Sequence, residues 1–169
     1  RQRQMCIRDR FCRLQNADVV AKTISIAGLA FKQKQKIIHD FTNEVVIMMD
    51  LRSPRIVNIY GVITTKADSL CLVVEYCPRG DLRVFLDSGE PIDGQRKLCM
   101  AYEIAAGMAY LHSRGVEHRD LKAKNCLLDE HGHIKLTDFG LAKNADLVTH
   151  TASKTSGSIS GTIPHMAPE

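Results

Sequence analysis

The sequence has 169 residues, 44% of them hydrophobic and 25% charged, which suits one domain of ordinary globular size and argues against a disordered chain. The formal net charge of +4 arises within the segment from Arg1 to Arg13, so the neutral remainder offers no basic stripe for nucleic acid or an anionic membrane surface. No apolar run could form a signal peptide or a membrane span, and six cysteines without a C-x-x-C pair fit a reducing, cytoplasmic setting.

The first regular elements are predicted to be strands. Residues 1–10 carry no apolar period, so we interpret them as a disordered lead or an artefact of cloning or sequencing. The segment from Phe11 to Leu14 is typical of the end of a strand. The segment from Asp18 to Ile24 is rich in β-branched residues and predicts the next strand, which carries Lys22.

An amphipathic helix is predicted from Lys32 to Leu51, and Ser53-Pro54 ends it because proline disfavours helical backbone in the preceding residue. Its acidic residues include Asp40 and, one turn later, Glu44. Apolar residues at spacings of three and four define its expected buried face: Ile37, Ile38, Phe41, Val45, Met48 and Met49.

A hairpin and two helices follow. The strands are predicted at 56–64 and 69–76, around a turn at 66–68. A short helix is expected at 81–86, and a long one at 93–114, capped by Asp93 and closed by Gly115. The long helix is expected to bury one apolar stripe: Leu98, Ala101, Ile104, Ala105, Met108 and Leu111.

The residues with the clearest chemistry lie in the segment His118-Arg119-Asp120-Leu121-Lys122-Ala123-Lys124-Asn125 and in the later Asp138-Phe139-Gly140. Phosphoryl transfer needs alignment and positive charge more than covalent help. Asp120 can accept the proton of an attacking hydroxyl, and Lys122 can neutralise the transferring phosphate. Asn125 and Asp138 can supply oxygen ligands for Mg²⁺. The set indicates a phosphotransferase.

A second hairpin is predicted between these two motifs, with strands at 126–128 and 133–137 around the turn Glu130-His131-Gly132. We expect it to present Asn125 and Asp138 at opposite ends of one ribbon, close enough to share a metal ion. The nearby pair His131 and His133 lacks the further ligands of a zinc site, so zinc is not expected.

The ordered signature H-R-D-L-K-x-x-N, D-F-G and Ala167-Pro168-Glu169 resembles that of eukaryotic-type protein kinases. The resemblance covers residues 11–169 and implies a partial bilobal α+β fold. A small antiparallel sheet with one helix would form an N-lobe at 11–76, and 77–169 would begin a mainly helical C-lobe and run through the A-P-E motif. No glycine precedes Gly28, so the glycine-rich phosphate loop is missing, and the chain stops at Glu169. The resemblance therefore implies a domain truncated at both ends.

The resemblance also implies an ATP site. Lys22 would hold the α- and β-phosphates, and Glu44 would pair with Lys22, with Asp40 as the rival. Val20 and Leu127 would cover the two faces of adenine.

Three hinge residues complete that site. Val74 takes the gatekeeper position, and the backbone of Glu75 and Cys77 would bind adenine. Cys77 would place a thiol at the mouth of the site, where a covalent ligand could be tested.

The activation segment would run from Gly140 to Met166 and is rich in hydroxyl groups. Arg119 would pair with a phosphate on this segment, for which Ser156, Ser158 and Ser160 are candidates. Phe139 would stack on His118, and Glu169 would normally pair with an arginine farther along the domain. Glu117 departs from the family pattern, which places an apolar residue before the histidine, so it either faces water or alters the loop.

Substrate class is inferred from two features. Lys122, and Gly161-Thr162 before the M-A-P-E ending, resemble the tyrosine-kinase-like branch of serine/threonine kinases, with Thr162 steadying Asp120 and Lys122. ATP, Mg²⁺ and a protein carrying serine or threonine are the implied cofactors and partner. The alternatives are a tyrosine or dual-specificity kinase, a pseudokinase-like interaction module, or a nonfunctional partial gene product.

Overall fold

The computed structural model describes residues 7–63, 68–138 and 143–144, with side chains from residue 10 to residue 138. The chain divides into two compact units. The first comprises Arg1–Asp50 and Asn58–Tyr76, and the second comprises Leu51–Val57 and Cys77–Glu169. We expected 51–57 in the first unit. It belongs to the second because its backbone is bonded to a strand there: Val57 N donates to Leu136 O (3.0 Å), and Leu136 N donates to Arg55 O (2.8 Å).

The first unit contains a four-stranded antiparallel sheet in the order β1-β2-β4-β3. Its strands are β1 (Ile7–Leu14), β2 (Ala17–Ser25), β3 (Ile59–Ile63) and β4 (Ser69–Glu75). The α+β class and the small antiparallel sheet with one helix are confirmed. The predicted turn at 66–67 lies outside the described residues.

The strand β1 begins earlier than the sequence suggested. Its backbone pairs with β2 from Ile7, opposite Ile24, to Leu14, opposite Ala17, so residues 7–10 belong to a strand and not to an irregular lead. Phe11 and Leu14 are 60% and 46% exposed. An edge strand of this kind is held by the ladder to its neighbour, and a search for an apolar period does not detect it.

The helix α1 (Phe31–Asp50) also lies in the first unit. Phe41 and Met48 are buried as predicted, and Ile47 is buried with them. Ile38 and Met49 are 41% and 56% exposed, which the prediction did not anticipate. A helix on a sheet buries one stripe, and the apolar residues of α1 cover more of its surface than that stripe needs.

The second unit contains two helices, α2 (Leu82–Asp87) and α3 (Gly94–Ser113). Aspartates cap both. Asp93 Oδ1 accepts from Arg96 N (2.6 Å), as the sequence suggested. Asp81, which we expected inside α2, is its cap, and its Oδ1 accepts from Val84 N (2.9 Å). The chain leaves α3 through Gly115, whose φ of 69° is in the left-handed region that favours glycine.

Four short strands accompany these helices. They are β5 (Val116–Glu117), β6 (Cys126–Leu128), β7 (Ile134–Leu136) and β8 (Lys143–Asn144). The strands β5 and β8 pair with each other, and β6 and β7 form the predicted hairpin. A 3₁₀ turn at Ala123–Asn125 leads into β6.

The buried stripe of α3 was predicted wrongly. Of the six expected residues only Leu111 is buried, and Leu98 is 71% exposed. Two of the buried residues, Glu103 and Gly107, have no apolar side chain, so an apolar pattern could not predict their burial. Gly107 lies against β7, since a Cβ there would be 2.9 Å from Leu136 Cδ1. The observed stripe is Met100, Glu103, Gly107 and Leu111.

Glu103 is buried because polar groups satisfy both of its carboxylate oxygens. Its Oε1 lies 3.1 Å from Arg55 Nη1 and 2.6 Å from His133 Nδ1. Its Oε2 accepts from Ile134 N at 2.8 Å. A buried carboxylate is tolerated where it is paired in this way. This network ties α3 to β7 and to the 51–57 segment.

Candidate active site

The hairpin β6–β7 determines where Asn125 and Asp138 lie. Asn125 immediately precedes β6, and Thr137 N donates to Asn125 O at 3.0 Å. Asp138 is the next residue along the chain. The two candidate ligands therefore leave the same end of the hairpin, and our expectation of opposite ends was wrong. In an antiparallel pair, the start of one strand faces the end of the other.

Asp120, Lys122 and Asn125 form one hydrogen-bonded cluster. Lys122 Nζ lies 2.5 Å from Asp120 Oδ2. Asn125 Nδ2 donates to Asp120 O at 2.8 Å and to Asp120 Oδ2 at 3.2 Å. The Asp120 side chain is 12% exposed, so the lysine charge and the amide stabilise a carboxylate that has lost most of its water.

The amide orientation of Asn125 matters for metal binding. Both hydrogens of Nδ2 are directed at Asp120, which leaves the amide carbonyl oxygen as the group on the other side. Asp138 is exposed and lies two residues after the end of β7. One amide oxygen and one carboxylate suit Mg²⁺, which takes few protein ligands and fills its octahedron with water and phosphate oxygens. The donor set fits that ion.

His118 connects the backbone at Asp120 to the backbone at Thr137, after β7. Its ring is 1% exposed, its Nε2 donates to Thr137 O at 3.1 Å, and its Nδ1 accepts from Asp120 N at 3.4 Å. This pattern needs the neutral ring with its hydrogen on Nε2. Burial lowers the pKa of His118, and the nearby carboxylates of Asp138 and Asp120 oppose that effect without overcoming it. His118 is thus suited to hold the backbone on both sides of the site.

Arg119 and Asp138 have left-handed backbone, with φ of 64° and 69°. For residues other than glycine this conformation costs on the order of 1–2 kcal/mol. Such strain is often found at functional sites, where the surrounding hydrogen bonds hold it in place. Here one strained residue directly precedes Asp120 and the other is a candidate metal ligand.

Arg119 pairs with Glu117, the residue that departs from the family pattern. Its Nε and Nη2 lie 2.9 Å and 2.5 Å from Glu117 Oε2. The Glu117 side chain is 57% exposed, so of the two alternatives it takes the one that faces water. The pairing of Arg119 with a phosphate stays a prediction. The signal for this pair was the opposite charge of two residues that lie two positions apart, Glu117 at the end of β5 and Arg119 just after it.

The predicted ATP residues of the first unit lie on β2, α1 and β4. Val20 and Lys22 are half-buried on β2, and Glu44 is half-buried on α1. Val74 is buried on β4. The proposed pairing of Lys22 with Glu44 stays a prediction.

Glu75 ends β4, and both its backbone and its side chain bond to Asn58. Glu75 N donates to Asn58 O at 2.9 Å, and Glu75 Oε2 accepts from Asn58 Nδ2 at 3.0 Å. The backbone N–H of Glu75 is therefore occupied. The expected contact between adenine and the backbone of Glu75 therefore stays a prediction only for the carbonyl group of Glu75.

Two further ATP candidates lie in the second unit. Leu127 is half-buried on β6. Cys77 is 6% exposed, so its thiol is not the open target that we expected at the mouth of a site. The remaining predicted site residues lie outside the described part of the chain: Phe139, Ser156, Ser158, Ser160, Thr162 and Glu169.

Comparison with known proteins decides the family. The model of the family described as protein tyrosine and serine/threonine kinase matches residues 10–169. The chain belongs to the protein kinase family. Membership of this family explains the kinase signature in the sequence, and the cluster around Asp120 is formed by residues of that signature. Protein kinases generally use ATP and Mg²⁺.

Individual kinases resemble the chain over most of its length. It is 43% identical over 137 residues to the serine/threonine-protein kinase CTR1 of Arabidopsis thaliana, covering 78% of this chain and 16% of CTR1. It is 40% identical over 126 residues to the serine/threonine-protein kinase RUNKEL of the same plant, covering 75% of this chain and 9% of RUNKEL. It is 37% identical over 130 residues to the tyrosine-protein kinase Abl of Drosophila melanogaster, covering 76% and 8%.

The chain therefore spans less than a fifth of the length of these three relatives. Among the helices that the structure describes, none is both long enough and apolar enough to cross a membrane.

Proposed function

We propose that this kinase chain transfers the γ-phosphoryl group of ATP to serine or threonine hydroxyls of a protein. The observation that carries the proposal is the cluster in which Lys122 and Asn125 both contact the Asp120 carboxylate. A carboxylate held by a cation and an amide is oriented before the substrate arrives, which is how enzymes avoid reorganisation during the reaction.

Each residue of the cluster has a separate task. Asp120 accepts the proton of the substrate hydroxyl as the hydroxyl oxygen attacks the γ-phosphorus of ATP and the bond to the departing ADP breaks. Lys122, already beside Asp120, is placed to neutralise charge on the transferring phosphoryl group. His118 fixes the backbone of Asp120 and Thr137, so the residues that follow each of them keep their positions.

The Asn125 carbonyl oxygen and the Asp138 carboxylate are the groups that would hold Mg²⁺. When bound there, the ion supplies charge neutralisation on the phosphates. Lys22, with Glu44 as its partner, is the proposed ligand of the α- and β-phosphates. Val20, Val74, Leu127 and the backbone of Glu75 and Cys77 are the proposed adenine contacts. The cytoplasmic location likewise stays a proposal.

The preference for serine and threonine is supported by Lys122 and by relatives that are named serine/threonine kinases. A tyrosine kinase is the second candidate, because the similarity extends to a kinase named as a tyrosine kinase. The discriminating residue is Lys122, since tyrosine kinases usually place alanine or arginine in that region.

The test is phosphoamino-acid analysis. The purified chain is incubated with labelled ATP, Mg²⁺ and a peptide library in which serine, threonine or tyrosine is the sole acceptor. Label on serine and threonine with none on tyrosine supports the proposal. Label on tyrosine alone would move the chain to the second candidate, and no transfer above a reaction without enzyme would contradict both.

A further inference from the structure

The second unit contains a cavity of about 340 Å³ that takes no part in the site around Asp120. It lies among the segment before α2, α2 itself, the connection from α2 to α3, the first turn of α3 and the turn between β6 and β7. The residues that line it are both charged and apolar: Arg79, Phe85, Glu90, Pro91, Ile92, Asp93, Arg96 and His131.

Two guanidinium groups converge on one peptide group beside this cavity. Arg96 Nη2 donates to Gly132 O. A Cβ placed on Gly132 would lie 2.7 Å from Arg79 Nη1 and 2.8 Å from Arg96 Nη2. Gly132 has a φ of 79°, so both its backbone conformation and the two arginines favour glycine there. Gly132 thus allows both cations to reach the same place.

Like charges repel, so two arginines brought this close call for a negative partner. Within the described ranges, no ion pair joins Arg79 or Arg96 to a carboxylate. The two acids that line the cavity do not supply one. Asp93 caps α3 through Arg96 N, and Glu90 is exposed. In the part of the chain that the structure describes, the pair of arginines is therefore a positive centre without a direct ion pair, although Glu90 and Asp93 line the same cavity.

We propose that this cavity binds a phosphorylated serine or threonine side chain of a peptide. The planar guanidinium group matches the geometry of a phosphate, and two of them can bind its oxygens from two sides. A volume of about 340 Å³ is near the lower limit for ligand pockets and suits an amino-acid side chain better than a nucleotide. Phe85 and Ile92 provide an apolar wall for a neighbouring residue of the peptide.

The proposal is independent of phosphoryl transfer by this chain, because no lining residue belongs to the proposed catalytic set. Binding can therefore be measured without ATP. The probe is the acetylated and amidated pentapeptide Ala-Leu-phosphoserine-Leu-Ala, titrated into the whole chain by isothermal calorimetry. The same peptide with serine or glutamate at the centre, and inorganic phosphate as a competitor, complete the set.

The phosphopeptide is expected to bind at least about tenfold more tightly than the serine peptide, since hydrogen bonds between charged groups are the strong ones. Arg79→Gln and Arg96→Gln should each weaken it about tenfold. Glu90→Gln should strengthen it a few-fold by removing a nearby negative charge. The matched control is Arg83→Gln, because Arg83 lies on α2, outside the cavity, and pairs with Asp87.

The result that overturns the proposal is equal affinity for the serine and phosphoserine peptides. Equal affinity for the glutamate peptide would overturn the preference for phosphate. If Arg83→Gln weakened binding as much as Arg79→Gln, the loss would come from the net charge of the chain and not from this cavity. Arg96 bonds to the turn at Gly132, so Arg96→Gln can perturb folding. Arg79 is exposed, and Arg79→Gln, checked by circular dichroism, decides the matter by itself.

Discussion

Lys122 Nζ lies 2.5 Å from Asp120 Oδ2, in a loop where Lys124 is exposed two residues later. Lys122 directly precedes the 3₁₀ turn that contains Lys124, and the two lysines have the same formal charge. Of the two, only Lys122 forms an ion pair with the proposed base in the described structure. This pair offers a direct comparison between a charge placed at the reacting group and a charge in its neighbourhood.

Replacing Lys122 by alanine is expected to lower kcat for peptide phosphorylation by about a hundredfold or more, since it removes a cation positioned at the transferring phosphoryl group. Lys124→Ala should leave kcat within about twofold of the parent chain. Steady-state kinetics with one peptide measures both. Equal effects of the two substitutions would show that the contact with Asp120 has no catalytic role.

The sequence predicted those parts of the fold that depend on local signals. The cap Asp93 and the terminal Gly115 were identified because each acts on backbone within a few residues of itself. The β6–β7 hairpin was identified because its strands and turn are contiguous. The signature around Asp120 is equally local, and the structure joins three of its residues, Asp120, Lys122 and Asn125, by hydrogen bonds.

The sequence did not predict features that depend on distant partners. Glu103 is buried because Arg55 and His133 reach it from other segments, and a hydrophobic pattern cannot contain that information. The start of β1 depends on its ladder to β2. The burial of Cys77 depends on packing as well. In each case, tertiary context overrode the local pattern.

The lowered pKa of His118 predicts a pH dependence of stability. Burial lowers the folded-state value below the ordinary 6.5, so between the two values the unfolded chain binds more protons than the folded one. The contribution of neutral His118 to the free energy of unfolding should therefore be complete above pH 6.5. It should decrease as the pH drops below 6.5, until the folded-state pKa is passed.

Denaturant unfolding of the parent chain and of His118→Phe between pH 8 and pH 5 measures this effect. The parent should lose stability through that range, and His118→Phe should lose less. His39→Gln is the control, because His39 is exposed, and it should keep the slope of the parent. An unchanged slope in His118→Phe would remove His118 as the cause.

Burial also raises the pKa of the Cys126 thiol to about 11. Its Sγ donates to Lys122 O at 3.5 Å, beside the proposed site. At pH 8 only about one molecule in a thousand should carry the thiolate that reacts with alkylating agents. In the folded chain, iodoacetamide should therefore label the exposed Cys12 and Cys99 well before Cys126. Peptide mass spectrometry reads the order, and labelling of Cys126 as fast as Cys99 would be inconsistent with its burial.

Glu103 is expected to be among the most sensitive positions of the second unit. Glu103→Ala would leave Arg55 without its carboxylate and Ile134 N without its acceptor, at a cost of about 3 kcal/mol in unfolding free energy. Glu90→Ala, at an exposed position, should change stability by less than about 0.5 kcal/mol. Urea denaturation compares the two. Similar small losses for both variants would mean that the network contributes little.

The most direct test of the proposed function is phosphoryl transfer by Asp120→Asn. Asparagine keeps the size of the side chain but cannot accept the substrate proton, so the rate of peptide phosphorylation should fall by about 10²- to 10⁴-fold. The matched control Asp87→Asn removes an exposed carboxylate on α2 and should phosphorylate at the parent rate. A parent chain that transfers phosphate, together with an Asp120→Asn variant that transfers it equally fast, would contradict the account.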